Sequence, residues 1–443
     1  MRRIPLTGMI LLMLLYFSLS HQTASANGAE VVSFGVEEEI QRLVTEGDIP
    51  SLHVCVVSGD ELNWVRGFGE QTSPDTVFLV GSIQKMFVAV SILQLYENDI
   101  IDLYDDINDY LPFAVRNPQH PNISVTIQML LTHRAGLYST MSPEFCYDWE
   151  GLHYPDYYSR SYYPSVVGIS LGEFLYEVLD PDGQYYYASN WINEPGTEYS
   201  YSNTGYKILM YLLEVVSNKT IADYMQENIF GPLRMNNTGF YASDYVGHHA
   251  IPHSRLGTNT TNTALPIWNG TYMIRSTVSD MGHFMIALMN RCEFDGHKLL
   301  EPSTLDEMIA NEYRYSGPNL RKELRWEGYG LGQDLFSHGV KGHGGSTVGF
   351  TANLYFNPDT KLGVVRLSNV NAILDPSSNE WSTIYEYTSQ IVNLVMSDVG
   401  LLPLFGIAEV LPVMTFVCVL AVVGFACKRR RKARLVTEAN NND

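Results

Sequence analysis

The stretch Ser82-Ile83-Gln84-Lys85, running on through Met86, Val88, Ile92, Leu93 and Leu95 to Tyr96, decides how this chain is read. Its apolar spacing predicts a helix over 82–96. Two strand-like runs precede it, Ser51–Val57 and Leu62–Phe68, joined by the turn Ser58-Gly59-Asp60. A serine and a lysine three apart at a helix start stand about one turn from each other on one face. An amine so placed takes the proton from a hydroxyl that is otherwise a weak nucleophile, and the helix N-terminus favours developing negative charge. Short Ser-x-x-Lys patterns arise by accident, but of the nine lysines in the chain only Lys85 has a serine three residues before it.

Outward from this stretch the pattern is one continuous α/β body. A helix is predicted over Phe34–Glu46, and others near Ile127–Leu131, Tyr206–Ser217, Ile221–Asn228, Val278–Met289 and Thr304–Ile309. Strands return at Phe350–Phe356 and Lys361–Ser368 around Asn357-Pro358-Asp359, and a last amphipathic helix covers roughly Trp381–Met396. Strands at both ends with helices between them imply one sheet built from N- and C-terminal segments, flanked by helices, with a helical lobe.

Two further motifs carry chemistry. Tyr201-Ser202-Asn203 lies in a Pro195-Gly196 loop before a helix; a phenol beside a lysine ammonium can act as base or proton relay, and the asparagine can bond both the lysine and a substrate amide. A competing copy, Tyr96-Glu97-Asn98, ends the helix that Ser82 begins and stands several turns beyond Lys85. His343-Gly344-Gly345-Ser346 comes just before the strand Thr351–Phe356. Its glycines permit close approach of a ligand backbone along that strand edge, and the N–H of Ser346 with that of Ser82 can form an oxyanion hole. The alternative is a glycine-rich turn with a solvent-facing histidine.

The three motifs in this order resemble the serine β-lactamase and penicillin-binding-protein superfamily, and within it the class C β-lactamase and DD-peptidase branch with its esterases and D-amino-acid peptidases. The resemblance covers about Phe34 to Met396. It includes Leu130-Leu131-Thr132-His133-Arg134-Ala135-Gly136-Leu137, Ser276-Thr277-Val278-Ser279-Asp280, and Tyr329-Gly330-Leu331-Gly332 before the third motif. It implies an α/β fold of the α+β type, with an antiparallel sheet, helices on its faces and a helical lobe. It also implies Ser82 as acylated nucleophile, Lys85 as its base or proton partner, Tyr201 as general base and acid, and Asn203 orienting the substrate amide. His343 stands where the branch often has a lysine, and a neutral imidazole supplies no fixed cation for a substrate carboxylate. The 119 positions from Ser82 to Tyr201 are long for the branch. The excess falls where ten of the 29 tyrosines crowd between Tyr147 and Tyr187, forming either an aromatic wall over the pocket or a packed insertion.

Both ends of the chain read as membrane signals. Arg2 and Arg3, the apolar run Met9–Leu19 and Ala24-Ser25-Ala26 make residues 1–26 a secretory signal peptide, leaving an extracellular hydrolase-like body over 27–400. Residues 401–427, with an uncharged core at 410–427, are long enough to span a bilayer, and the basic tail 428–443 places the body outside the cytosol, on the extracellular face of a membrane or released from it. Sequons at Asn122, Asn218, Asn236, Asn259 and Asn269 fit a secretory route. Outside the span, Cys55, Cys146 and Cys292 allow at most one disulfide, whose pairing the sequence leaves open.

The net charge of −20, from 28 basic and 48 acidic residues, excludes nucleic acid as a partner, since phosphate binding needs clustered cations. No metal or cofactor is expected: Pro252 breaks helical spacing among His248, His249 and His253, and Asp102, Asp105, Asp106 and Asp109 read as a solvated turn rather than a calcium loop. Two functions follow. One is a membrane-anchored or secreted serine hydrolase forming an acyl-enzyme on Ser82 with a small-molecule or peptide amide or ester. The other is an acidic extracellular glycoprotein that keeps the fold without turnover and associates with a matrix or mineral.

Overall fold

In Ser51–Ser58 (β1), Leu52, Val54 and Val56 face one side and His53, Cys55 and Val57 the other, so the strand is buried on both faces, and Gly59-Asp60 turns it back into Glu61–Gly69 (β2). The computed structural model describes residues 32–138, 170–241, 243–254, 263–264, 273–310, 312–317, 324–347, 349–371 and 379–402. The expected signal peptide, most of the expected span with its whole core, the basic tail, Cys146, Asn259, Asn269 and the tyrosines from Tyr147 to Tyr163 lie outside them. Among the described residues no helix is long and apolar enough to cross a membrane.

The hairpin joins a sheet completed by the far end of the chain: Tyr313–Arg314 (β3), Trp326–Tyr329 (β4), Asp334–Phe336 (β5), Lys341–Thr347 (β6), Phe350–Asn357 (β7) and Leu362–Ser368 (β8). The order is β2-β1-β8-β7-β6-β5-β4-β3, antiparallel throughout. The N- and C-terminal segments meet where Cys55 faces Val365 across β1 and β8.

Nine helices are described: Phe34–Glu46 (α1), Gln84–Glu97 (α2), Ile127–Leu131 (α3), Leu171–Leu179 (α4), Asn203–Ser217 (α5), Ile221–Met225 (α6), Val278–Met289 (α7), Pro302–Met308 (α8) and Asn379–Asp398 (α9). α7 packs across the central strands on the face that carries Cys55 and Val57, while α1 and α9 pack on each other and on β2 and β8. α2 is apolar nearly all round, with Met86, Phe87, Val88, Val90, Ile92 and Leu93 all buried, as befits a helix at the centre of a core. Phe87 stacks on Phe284 of α7 at 3.9 Å, tying the helix to the sheet layer.

Three expectations are corrected. The helix over 82–96 is a 3-10 turn at Gly81–Ile83 followed by α2 from Gln84, because the chain crosses β6 just before it. His343-Gly344-Gly345 is not a turn ahead of a strand but the middle of β6, and glycine's scarcity in strands hid it. The strand after it, β7, is paired along both edges, so the edge beside the motif belongs to β6, which β5 meets only at Lys341 and Gly342. The pairing that the sequence left open is answered for two of the three cysteines, Cys55 and Cys292 being free, buried thiols, and burial pushes each up to about 12.

Candidate active site

Gly81 makes the site possible. Its φ is +57°, a conformation that side chains resist, and a Cβ there would stand 2.7 Å from the backbone N of Ser346. On the other side of this crossing, a Cβ on Gly345 would meet the Val80 carbonyl oxygen at 2.0 Å. Two glycines thus let the turn before α2 lie directly on β6, and the backbone at Ser82 comes beside that of Ser346. Asn371 fixes the latter residue, donating from Nδ2 to Ser346 Oγ at 2.8 Å and to the Thr347 carbonyl at 2.7 Å.

Lys85, the second residue of α2, is 5% exposed and turns its ammonium toward the site. It donates to Ser82 Oγ at 3.2 Å and to Asn203 Oδ1 at 2.7 Å, and it lies 4.8 Å from the centre of the Tyr201 ring. Asn203 is the first residue of α5, and Ser202 caps that helix by accepting the Gly205 N–H at 3.1 Å. Ser82, Tyr201, Asn203 and Gly344 are half-buried and Ser346 is exposed, so an accessible rim surrounds a buried amine. Ser82 from the turn before α2, Lys85 from α2, and Tyr201 and Asn203 from the start of α5 therefore come together. On β6 the His343 ring lies 6.1 Å from that of Tyr201 and Ser346 lies against Gly81, while Gly344 faces Asn353 and Tyr355.

His343 is buried on β6. Its Nδ1 lies 2.5 Å from the Gly344 carbonyl oxygen, so that nitrogen carries the proton and donates. Burial, and then the nearby Lys85, push its pKa down to about 3, so the imidazole is neutral at physiological pH. The sequence expectation of a neutral group in place of a cation rests here on a physical cause. The solvent-facing alternative fails, since the ring is 3% exposed.

Several residues around the site carried no role in the sequence reading. His133, with φ +57°, touches four tyrosines: its ring centre lies 4.3 Å from that of Tyr201, 4.9 Å from Tyr329, 5.0 Å from Tyr206 and 5.8 Å from Tyr199. Burial and then Lys85 hold it well below the usual histidine range. Beyond it Tyr199 stacks on Tyr313 at 4.8 Å and packs against Trp326 at 5.4 Å, while Tyr315 meets Trp326 at 5.0 Å. The aromatic wall beside Tyr201 is thus built from the loop before α5 and from β3 and β4. Of the tyrosine-rich segment, Tyr176 packs on Phe113 and Tyr185 belongs to the apolar core. The segment Leu130–Leu137 was legible as a motif; the contacts of His133 were not.

The remaining candidates stand apart from this cluster. His249 uses both ring nitrogens, Nδ1 on the Ala250 carbonyl at 2.9 Å and Nε2 accepting from Arg275 Nε at 3.3 Å. Asp106 caps a 3-10 turn and pairs with Arg116, which holds its carboxyl well below the usual range against the opposing effect of burial. Asn122, Asn218 and Asn236 are exposed.

The Beta-lactamase family model matches residues 36–384. Protein flp of Staphylococcus aureus strain MW2 is 24% identical over 81% of this chain, which spans 65% of that protein's length. Among solved structures, a penicillin-binding protein homologue from Pyrococcus abyssi superposes with a TM-score of 0.64 at 22% identity, covering 81% of this chain and 76% of that one. A D-amino acid amidase from Ochrobactrum anthropi SV3 gives a TM-score of 0.60 at 19% identity, covering 82% and 99%. At these identities the structures speak for the fold.

Proposed function

This chain belongs to the Beta-lactamase family, and from that premise we propose that it is a serine hydrolase that cleaves an amide or ester through an acyl-enzyme on Ser82. The observation that carries the reading is Lys85, which reaches Ser82 Oγ and Asn203 Oδ1 at once while lying against the Tyr201 ring. In the forward step Ser82 Oγ adds to the substrate carbonyl as its proton passes to Tyr201 in its phenolate form, which the neighbouring Lys85 ammonium stabilises. The backbone N–H groups of Ser82 and Ser346 receive the oxyanion. The bond to the leaving amine or alcohol breaks as that group takes the proton from Tyr201, and water then attacks the ester on Ser82 to release the acid.

His343 narrows the substrate. With a neutral ring where a cation would pair with a carboxylate, uncharged amides and esters are favoured over β-lactams, whose carboxylate has no such partner at this position. D-amino-acid amides belong in the substrate panel because the amidase of similar fold bears that name. The signal, span and tail readings support a body held on the outer face of a membrane.

The test is covalent labelling. A fluorophosphonate should modify the wild type on Ser82, seen as one adduct by mass spectrometry, and should leave Ser82→Ala untouched. An unlabelled wild type, or equal labelling of the variant, would refute the reading.

A further inference from the structure

His133 stands between α3 and the loop that delivers Tyr201 and Asn203, and it grips that loop twice. Its carbonyl accepts the N–H of Ser200 at 2.8 Å, and its Nδ1 accepts the N–H of Ser202 at 3.0 Å. The next residue adds a third tie, Gly196 donating to the Arg134 carbonyl at 2.7 Å. A backbone N–H is an obligate donor, so Nδ1 must offer a lone pair and the proton of the neutral ring must sit on Nε2. That Nε2 is buried and, among the described residues, has no hydrogen-bond partner. Leaving that buried donor unpaired carries a cost in free energy. The left-handed backbone at His133 is a second such cost.

We propose that His133 is a positioning residue for Tyr201 and Asn203. Its αL turn and its Nδ1 lone pair together set where the Tyr201-Ser202-Asn203 arm stands relative to Lys85, and its ring, packed 4.3 Å from that of Tyr201, fixes the tilt of the phenol. Being neutral, it does this without placing a second positive charge beside Lys85. The inference rests on the acyl-enzyme reading above, because positioning matters only if Tyr201 and Asn203 act on Ser82 chemistry.

Two variants separate this role from simple packing. His133→Asn keeps an acceptor at the δ1 position and tolerates the left-handed backbone; His133→Ala loses the acceptor and resists that backbone. With a fluorophosphonate, the maximal labelling rate of Ser82 should fall about a hundredfold in His133→Ala, the scale expected for a displacement near 1 Å, while the probe's half-saturation concentration moves less than about threefold; His133→Asn should recover at least a tenth of the wild-type rate. Hydrogen exchange supplies a readout independent of turnover: the Ser200 and Ser202 amides should stay protected in the wild type and the Asn variant and exchange faster in the Ala variant. Ala labelling at the wild-type rate, or equal loss in both variants, overturns this inference alone. A wild type that does not label, with both amides protected, overturns the acyl-enzyme reading and this inference with it.

Discussion

Lys85 holds Ser82 and Asn203 in one reach, so its removal is the sharpest single-residue test after Ser82 itself. Lys85→Met keeps most of the volume and the apolar stem in a buried position and deletes only the amine. The labelling rate at Ser82 should fall by about 10²–10⁴, the usual share of positioned acid–base catalysis, with the thermal midpoint close to wild type; labelling within tenfold of wild type would remove Lys85 from the mechanism. At this scale the sequence was informative because a turn of helix fixes the Ser82–Lys85 relation locally. It was silent on His133, whose partners Ser200 and Ser202 lie more than sixty positions away and meet it only after folding.

Among the elements, α4 carries a local start signal in its sequence. Ser170 accepts the Glu173 N–H at 3.2 Å while Glu173 accepts the Ser170 N–H at 2.8 Å, a complete capping box ahead of Leu171–Leu179. The crowd of tyrosines around it masked the helical period. Ser170→Ala should lower unfolding stability by about 1 kcal/mol and leave Ser82 labelling unchanged, as urea titration and the probe would record; a neutral substitution would mean the cap is idle. β6 failed for the opposite reason. Three glycines in seven residues argue against a strand by propensity, yet two of them line the contacts that fix it, Gly342 against β7 and Gly345 against Val80.

Across the whole molecule, buried neutral histidines tie stability to pH. His249 is held down to about 4 and His343 to about 3, chiefly by burial, against 6.5 for a free imidazole; His53 and His133 shift in the same direction. The unfolded chain therefore binds protons that the folded chain refuses. This stability is complete above about pH 6.5 and is lost as pH falls toward 4, and at pH 5 His249 and His343 each contribute about 2 kcal/mol of the loss. Urea midpoints measured at pH 7.5, 6 and 5 should fall steadily; a level midpoint would contradict the buried neutral state. The sequence by itself determined the three motifs, the sheet's origin in both ends of the body and the loss of a cation at position 343, because these depend on local spacing and on the chemistry of single side chains. Only the tertiary structure decided that Gly81 lies on Gly345 and Ser346, that a histidine just past α3 anchors the Tyr201 loop, and that both imidazoles are neutral. Those facts depend on burial and on contacts between segments far apart in the chain, and no local pattern encodes either.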